Sequence, residues 1–450
     1  MRILILVGLA LATGIVFAQD PPATNTPPAE PPAEATPADD VAADTTAIAG
    51  DAAGNDRVSI DEIRRFVSVF RAVKQAYVEP IDDAQLMQAA IRGLLTDLDP
   101  HSAYLDASQS RGLNEMASGA YDGLGLEVIQ NPDRSLMVVA PIDDTPAARA
   151  GIRPGDVISE IDGKAITADN VDAAVESMRG APGTEIQLTI QRQEAAEPLR
   201  VTLKRETIRV ASARVRMLEP GFALLRLAMF QGDTAQEAER KLKELAKGEP
   251  LRGLVLDLRS NPGGLLSAAV EAADLFLDEG QIVSTGGRMP YAKSEFRAQR
   301  GDILNGAPIV VLTDAGTASA AEVLTGALRD HRRALVMGST TFGKGSVQSV
   351  LPLDNGDSVK LTTSLYYTPN GTSIQATGIQ PDIVLPDGAE LHSADRPPTL
   401  RERDLPGHLR SSSDAAVVVP VPAAKPEEGE TDFAVREALN LLKGLALFTR

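Results

Sequence analysis

The stretch Ile309–Gln348 reads IVVLTDAGTASAAEVLTGALRDHRRALVMGSTTFGKGSVQ, and its order of elements decides the fold. An apolar run with strand character, Ile309–Leu312, ends in a turn of small residues, Thr313–Ala318. A helical segment, Ala320–Arg329, follows, and Ser319 sits at the junction. A glycine-framed turn, Thr341-Phe342-Gly343-Lys344-Gly345, then presents one lysine, with Gln348 four residues beyond it. The same unit of strand, small-residue turn and helix occurs upstream as Gly253–Leu258, Arg259–Gly264 and Leu265–Leu277. A strand at Ala223–Leu227 and an amphipathic helix at Ala235–Lys247 precede it. Repetition of that unit between Thr207 and Pro386 predicts an α/β core. Ligands in such sheets collect where the strands end and the turns converge.

At 450 residues the chain exceeds one ordinary core, so two or three domains are expected. A formal charge of −18 argues against a nucleic-acid partner, which rewards clustered Lys and Arg. The absence of cysteine removes thiol nucleophiles, thiolate metal sites and disulfides together. His101, His331, His392 and His408 are scattered, with no pair at metal-ligand spacing, so neither a metal nor a cofactor is expected. Met1–Ala18 has the basic, apolar, small-residue order of a secretory signal peptide. Its apolar run, Ile3–Phe17, is shorter than the roughly 20 residues a spanning helix needs. Export to a bacterial periplasm is the expected outcome, with retention at the inner membrane if the signal is not cleaved.

Outward from the core, residues 19–56 are Pro, Ala, Thr and Asp with almost no large apolar side chain, the composition of a disordered tether. Residues 57–118 form an N-terminal helical region. Ser59-Ile60-Asp61-Glu62 spells a capping box before a helix that Pro80 ends, and a second helix spans Ala84–Leu98. Residues 391–430 return to proline, serine and charge and read as a linker. In the final segment, 431–450, Phe433, Val435, Leu439, Leu442 and Leu445 recur at helical spacing. That helix can dock between subunits or fold back on its own core.

Residues 119–206 differ in character. Short β-rich runs (Leu124–Ile129, Leu136–Ala140, Val157–Ile161, Glu185–Gln191, Leu199–Leu203) alternate with Pro/Gly turns, and one helix, Asn170–Met178, interrupts them. With Gly123-Leu124-Gly125-Leu126 just before a strand and Arg153-Pro154-Gly155-Asp156 later, this region resembles a PDZ domain in its bacterial arrangement. Such a domain captures a C-terminal peptide by strand addition, backbone N–H groups of the glycine loop holding the terminal carboxylate. The resemblance makes Gly123, Leu124, Gly125 and Leu126 the loop and Val171 and Val175 the groove side of the helix. Val175 serves equally well as plain core.

Serine needs a base to act as a nucleophile. His331 stands at the far end of the helix that Ser319 begins, roughly 18 Å away at 1.5 Å per residue, and cannot reach it. A lysine can serve once burial lowers its pKa from about 10.4. Phe342 and Val347 flank Lys344, and no acid adjoins it. A surface or phosphate-binding lysine is the alternative, although the turn lacks the spacing of a P-loop. The N–H of Ala320 and that of Gly263 or Gly264 could receive an oxyanion.

The run Asp314–Glu322 followed by Lys344 and Gln348 resembles the carboxy-terminal processing peptidases, the tail-specific serine proteases of peptidase family S41. Leu98-Asp99-Pro100-His101-Ser102, Asp257–Gly264, Tyr366–Gly371 and Gly378–Asp382 extend the likeness over about residues 57–390. The resemblance implies a multidomain α/β and β-rich chain: N-terminal helices, PDZ domain, a crotonase/Clp-protease-like serine peptidase core and a C-terminal helix. It implies Ser319 as nucleophile, Lys344 as general base, Gln348 orienting the lysine, and an oxyanion hole from Ala320 and one of Gly263 and Gly264. It also implies protein substrates with apolar C-terminal tails, an adaptor as one further partner, and homo-oligomers built through terminal helices. Asp314 and Ala321 depart from the Asn and Ser usual in the family.

Two other classes compete. A catalytically silent PDZ scaffold would use only the peptide groove, and a crotonase-like acyl-CoA enzyme would leave the PDZ domain and export signal unexplained. One geometric expectation is specific. In a straight strand Lys344 and Gln348 would stand about 13 Å apart, so Gly343–Ser346 must turn or bulge, with Gly345 permitting it.

Overall fold

The structure, a computed structural model, describes residues 58–131, 135–385, 400–410 and 432–448, apart from residues 143, 168, 194, 196 and 300. The expected signal peptide and the tether after it lie outside the described residues, as does most of the expected 391–430 linker.

The core sheet has six strands in the order Ala213–Glu219, Phe222–Leu227, Gly253–Asp257, Ile309–Thr313, Ala334–Gly338 and Ile383–Val384. The first pair is antiparallel and the others are parallel. Each parallel step moves the same way across the sheet, so right-handed crossovers put their helices on one face. Helices Thr234–Leu245, Leu266–Asp274 and Ala320–Asp330 cover Leu225, Leu254, Leu256, Ile309 and Val311 there. Strand alternation sends Leu224, Val255, Val310 and Leu312 to the opposite face.

That second face is covered by the helix Phe433–Phe448 through Val435, Ala438, Leu442 and Ala446. Burying each large side chain in such a layer contributes about 1.5–3 kcal/mol. The C-terminal helix therefore folds back on its own core. Its start is pinned by Asp432, whose two oxygens accept from Arg259 at 3.1 and 2.6 Å, one of them also capping the N–H of Ala434.

A second, antiparallel sheet lies beside the core. It runs Ala103–Leu105, Ser358–Tyr367, Gln281–Gly287, Ser294–Arg297, with Ser346–Pro352 also paired to Ser358–Tyr367.

The PDZ region is entered and left through an antiparallel ribbon, Ala120–Gly123 with Glu206–Arg209. Its sheet runs Leu126–Gln130, Leu136–Pro141, Val157–Ile161, Glu185–Gln191, Leu199–Lys204, around a core of Leu136, Val138, Ile158, Ile186, Leu188 and Ile190. These strands agree with the expected ones within two residues. The helix is Val171–Ser177.

Three differences from expectation lie outside the core. In the helix Ile60–Ala76 the Ser59 hydroxyl takes the N–H of Asp61, while Glu62 turns to Arg65 at 2.9 Å, so the expected box does not close. A helix at Ala107–Ser118 was not foreseen, although Asp106 and Gln109 spell and form a complete capping box at 2.9 and 3.1 Å. Residues 400–410, expected as linker, are packed, with Arg401 and Glu402 buried. Their polar composition hid this, because the buried carboxylate is satisfied by partners far away in sequence.

Candidate active site

Three parallel strands deliver their following turns to one place. Asp257 leads to the turn at Arg259–Gly264, Thr313 to the turn before Ser319, and Gly338 to the turn that carries Lys344. Polar side chains lock the turns together. Asn261, fully buried, donates to the Leu227 carbonyl and accepts the N–H of Gly263, both at 2.9 Å. Asp314 accepts from the Ser260 N–H at 2.7 Å and its hydroxyl at 3.0 Å, which gives the residue that departs from the family pattern a structural role. Thr317 donates to the Leu258 carbonyl and accepts, through its own carbonyl, the N–H of Phe342.

Ser319 is buried at the start of the helix Ala320–Asp330, with φ 55° and ψ −118°. A non-glycine residue held in that region stores strain that the surroundings must impose. Here the constraint is visible: the N–H of Ser319 donates to Glu322 Oε2 at 2.8 Å. Glu322, fully buried, accepts three more donors. These are the Lys344 N–H on Oε2 at 2.9 Å, and the Gly343 N–H at 2.8 Å and the Thr341 hydroxyl on Oε1. Burial pushes the Glu322 carboxyl up to about 7, and those four hydrogen bonds oppose the rise.

The Lys344 amine donates to Gln348 Oε1 at 2.6 Å. Desolvation, aided by the charge of Lys360, lowers its pKa to about 8, against the pull of Glu402, Glu322 and Asp99. Gln348 is oriented in turn: its Nε2 reaches Ser346 Oγ at 3.0 Å and Thr362 Oγ1 at 3.2 Å. Thr362 donates to Asp99, and Asp99 also accepts the Ser102 hydroxyl at 2.6 Å.

The distance between Lys344 and Gln348 is closed by a turn inside the expected Gly343–Ser346 stretch and by a bulge just beyond it, but Gly345 is not the residue that permits the turn. The positive φ belongs to Gly343, at 98°, and the strand irregularity falls between Val347 and Gln348. Gly345 is required for a different reason. A Cβ there would overlap the backbone nitrogen of Gln375.

Gly263 faces Ser319 from the neighbouring turn, where a Cβ would come to 2.8 Å from that of Ser319, and Gly264 follows it against the backbone of Phe230. The Gly263 N–H is already given to Asn261. Among the described residues, no hydrogen bond engages the N–H of Gly264 or of Ala320. The buried phenol of Tyr366 also lies against the Ser319 hydroxyl, and burial pushes it up to about 12. His331 caps the far end of the helix and contacts the Gln281 carbonyl at 2.6 Å.

In the PDZ region the expected loop and groove separate into core and surface. Leu124 and Val171 are buried in the domain core, and Val175 packs against it half-buried. Gly125, at φ 75°, gives its carbonyl to the Ile142 N–H at 2.8 Å. No hydrogen bond among the described residues engages the N–H of Leu124 or Gly125. The strand Leu126–Gln130 is a sheet edge, paired on one side with Leu136–Pro141. Among the described residues no group of three or more His, Cys, Asp and Glu could hold a metal ion.

The role of Glu322 was missed in the sequence. Ser319-Ala320-Ala321-Glu322 has the S-x-x-E spelling that predicts its reach back to the Ser319 N–H. Its bonds to residues 341–344 are tertiary and carry no local signal.

Comparison with known proteins agrees with this architecture. The family model described as "Peptidase family S41" matches residues 221–385, a PDZ model matches 137–192, and the model of the "Activating protease CtpB N-terminal domain" matches 33–109. Fold and matches together define a serine-type peptidase that carries a PDZ domain. A carboxy-terminal-processing protease of Bartonella bacilliformis is 42% identical over 393 residues, 87% of this chain and 90% of that one. The carboxy-terminal processing protease CtpA of Bacillus subtilis is 34% identical over 338 residues, 74% of this chain and 72% of that one. Among solved structures, the photosystem II D1 C-terminal processing protease shows 31% identity and a TM-score of 0.43, covering 73% of this chain and 94% of that one. The chain belongs to the carboxy-terminal-processing proteases of peptidase family S41.

Proposed function

We propose that the chain is an exported, periplasmic endopeptidase that takes proteins by apolar C-terminal tails and cleaves them with Ser319, Lys344 and Gln348. The neutral Lys344 amine removes the proton from Ser319 Oγ as that oxygen attacks the scissile carbonyl carbon. The negative charge that develops on the carbonyl oxygen is received by the N–H groups of Ala320 and Gly264. Collapse of the tetrahedral species breaks the C–N bond, and the lysine returns its proton to the departing amine. Water, deprotonated by the same lysine, then hydrolyses the acyl-enzyme.

The observation that carries this reading is the Glu322 carboxylate, one oxygen of which accepts from the backbones of both Ser319 and Lys344. A protein that only displayed peptides would have no use for a strained serine tied to a desolvated lysine. The tail enters, on this reading, by adding a strand to the Leu126–Gln130 edge, its carboxylate on the free N–H groups at Leu124 and Gly125. Envelope proteins are the proposed substrates. Localisation rests on Met1–Ala18. Self-association through a terminal helix falls to Ile60–Ala76, whose Ile60, Ile63, Phe66 and Val67 are exposed, because the C-terminal helix is spent on the core.

Purified full-length protein should cleave a reporter protein ending in apolar residues, and Ser319→Ala should abolish cleavage while leaving reporter binding unchanged. Cleavage by Ser319→Ala at the wild-type rate would refute the nucleophile. Binding without cleavage by the wild type would favour the silent scaffold.

A further inference from the structure

Glu402 stands in a stretch whose composition marks it as linker, yet its side chain is fully buried. His101 Nε2 lies 2.9 and 2.7 Å from its two oxygens, and Gln375 Nε2 donates to Oε1 at 2.9 Å. Burial works to raise this carboxyl, and the bonds from His101 and Gln375 outweigh it, holding it below its ordinary value. The chain continues toward the candidate active site. Gln375 Oε1 accepts the N–H of Gly345 at 2.9 Å, and its Nε2 also reaches the Leu409 carbonyl at 3.1 Å. The N–H of Glu402 itself donates to the Phe342 carbonyl at 3.3 Å.

Residues 401–409 thus hold the lysine turn directly at Phe342 and, through Gln375, at Gly345 on the other side of Lys344. Adhesion alone would be served better by an apolar side chain, since a buried carboxylate is costly unless fully paired. A polar chain is needed where one backbone N–H has to be fixed in direction. The absence of a Cβ at Gly345 lets Gln375 come close enough to do so.

We propose that Glu402 is a positioning residue for Lys344, acting through Gln375, and that residues 400–410 belong to the catalytic assembly of this peptidase. The proposal rests on Lys344 being the base. Glu402 fixes the orientation of Gln375, Gln375 fixes the N–H of Gly345, and the turn then aims the lysine amine at Gln348. His101 closes the outer side of the carboxylate, its Nε2 within hydrogen-bond distance of both oxygens. The charged groups facing the lysine are Lys360, Glu402, Glu322 and Asp99, so Glu402 supplies part of the negative field it experiences.

The test uses the full chain with Glu402→Gln, Glu402→Ala and Gln375→Ala, beside Ser319→Ala and Lys344→Arg, on an apolar-tailed reporter protein. Expected for Glu402→Ala and Gln375→Ala is a fall in kcat of about tenfold or more with KM within about twofold. In Glu402→Gln the loss of negative charge favours the neutral amine, so the rising limb of kcat/KM moves to lower pH. A carboxylate acting on Lys344 by charge alone would move that limb too, so positioning is read from Gln375→Ala, which removes no charge: kcat falls while KM and the limb stay in place. Should Glu402→Ala lose its cooperative melting transition, Gln375→Ala still decides. Wild-type kcat in Gln375→Ala, with Ser319→Ala and Lys344→Arg dead, would overturn the proposal alone. Full activity in Lys344→Arg would overturn the assigned base, and this proposal with it.

Discussion

Ser319 and Lys344, 25 positions apart in the chain, give their backbone N–H groups to the same oxygen of Glu322, at 2.8 and 2.9 Å. A single carboxylate therefore fixes the proposed nucleophile and base relative to one another before any substrate arrives. Glu322→Ala strands buried donors, each costing about 1–3 kcal/mol. The expected result is a fall in kcat of roughly a hundredfold, accompanied by a lower Tm. Glu322→Gln keeps the volume and one acceptor and should retain more activity. Steady-state kinetics and thermal melts on both variants check this, and equal kcat in Glu322→Ala and wild type would remove the role.

Gly264 has φ 138°, and a Cβ on it would overlap the carbonyl oxygen of Phe230. Gly264→Ala must therefore displace the turn that offers the proposed oxyanion donor. Losing one such donor typically costs about 10²–10³ in kcat. The variant should bind reporter normally and turn it over at that reduced rate; unchanged kcat would place the oxyanion elsewhere.

Leu442 is fully buried between the C-terminal helix and the second face of the sheet. Leu442→Ala should lower unfolding stability by about 2–5 kcal/mol, as large-to-small core changes do. Urea titration of the variant reads this directly. A loss below about 0.5 kcal/mol, the range of ordinary surface changes, would mean that the helix is not seated on the core.

Much of this architecture was legible in the sequence because it is carried by local period. The strands Gly253–Asp257 and Ile309–Thr313, all of whose residues are buried, read as continuous apolar runs, and the helices between them follow small-residue turns. The C-terminal helix is legible as a helix, but its sequence leaves docking between subunits and docking on its own core equally open. All three crossovers use one face, while Val255, Val310 and Leu312 need cover on the other. Phe433–Phe448 and the N-terminal helix Ile60–Ala76 were both amphipathic segments that could supply it, and only the structure chooses between them.

What could not be read were the long-range polar bonds. Glu402 looks like one more charge in a linker until His101, about 300 residues earlier, is found against it. The turn lies within the expected Gly343–Ser346, at Gly343, and the bulge at Val347–Gln348 just after it, while Gly345 has no positive φ and serves a close approach to Gln375 instead. Loop composition reports whether a turn is possible. It does not report which partner the turn is bent to meet.

The central claim is that Lys344 acts as a neutral base, and the pH dependence of kcat/KM in wild type and Lys344→Arg tests it most directly. The lysine is depressed to about 8, so its amine is free above that value and protonated below it. Wild-type kcat/KM should rise through about pH 8 to a plateau, and Lys344→Arg, which stays protonated, should be nearly inactive at every pH. A flat profile across pH 7–9, or substantial turnover by Lys344→Arg, would contradict the account.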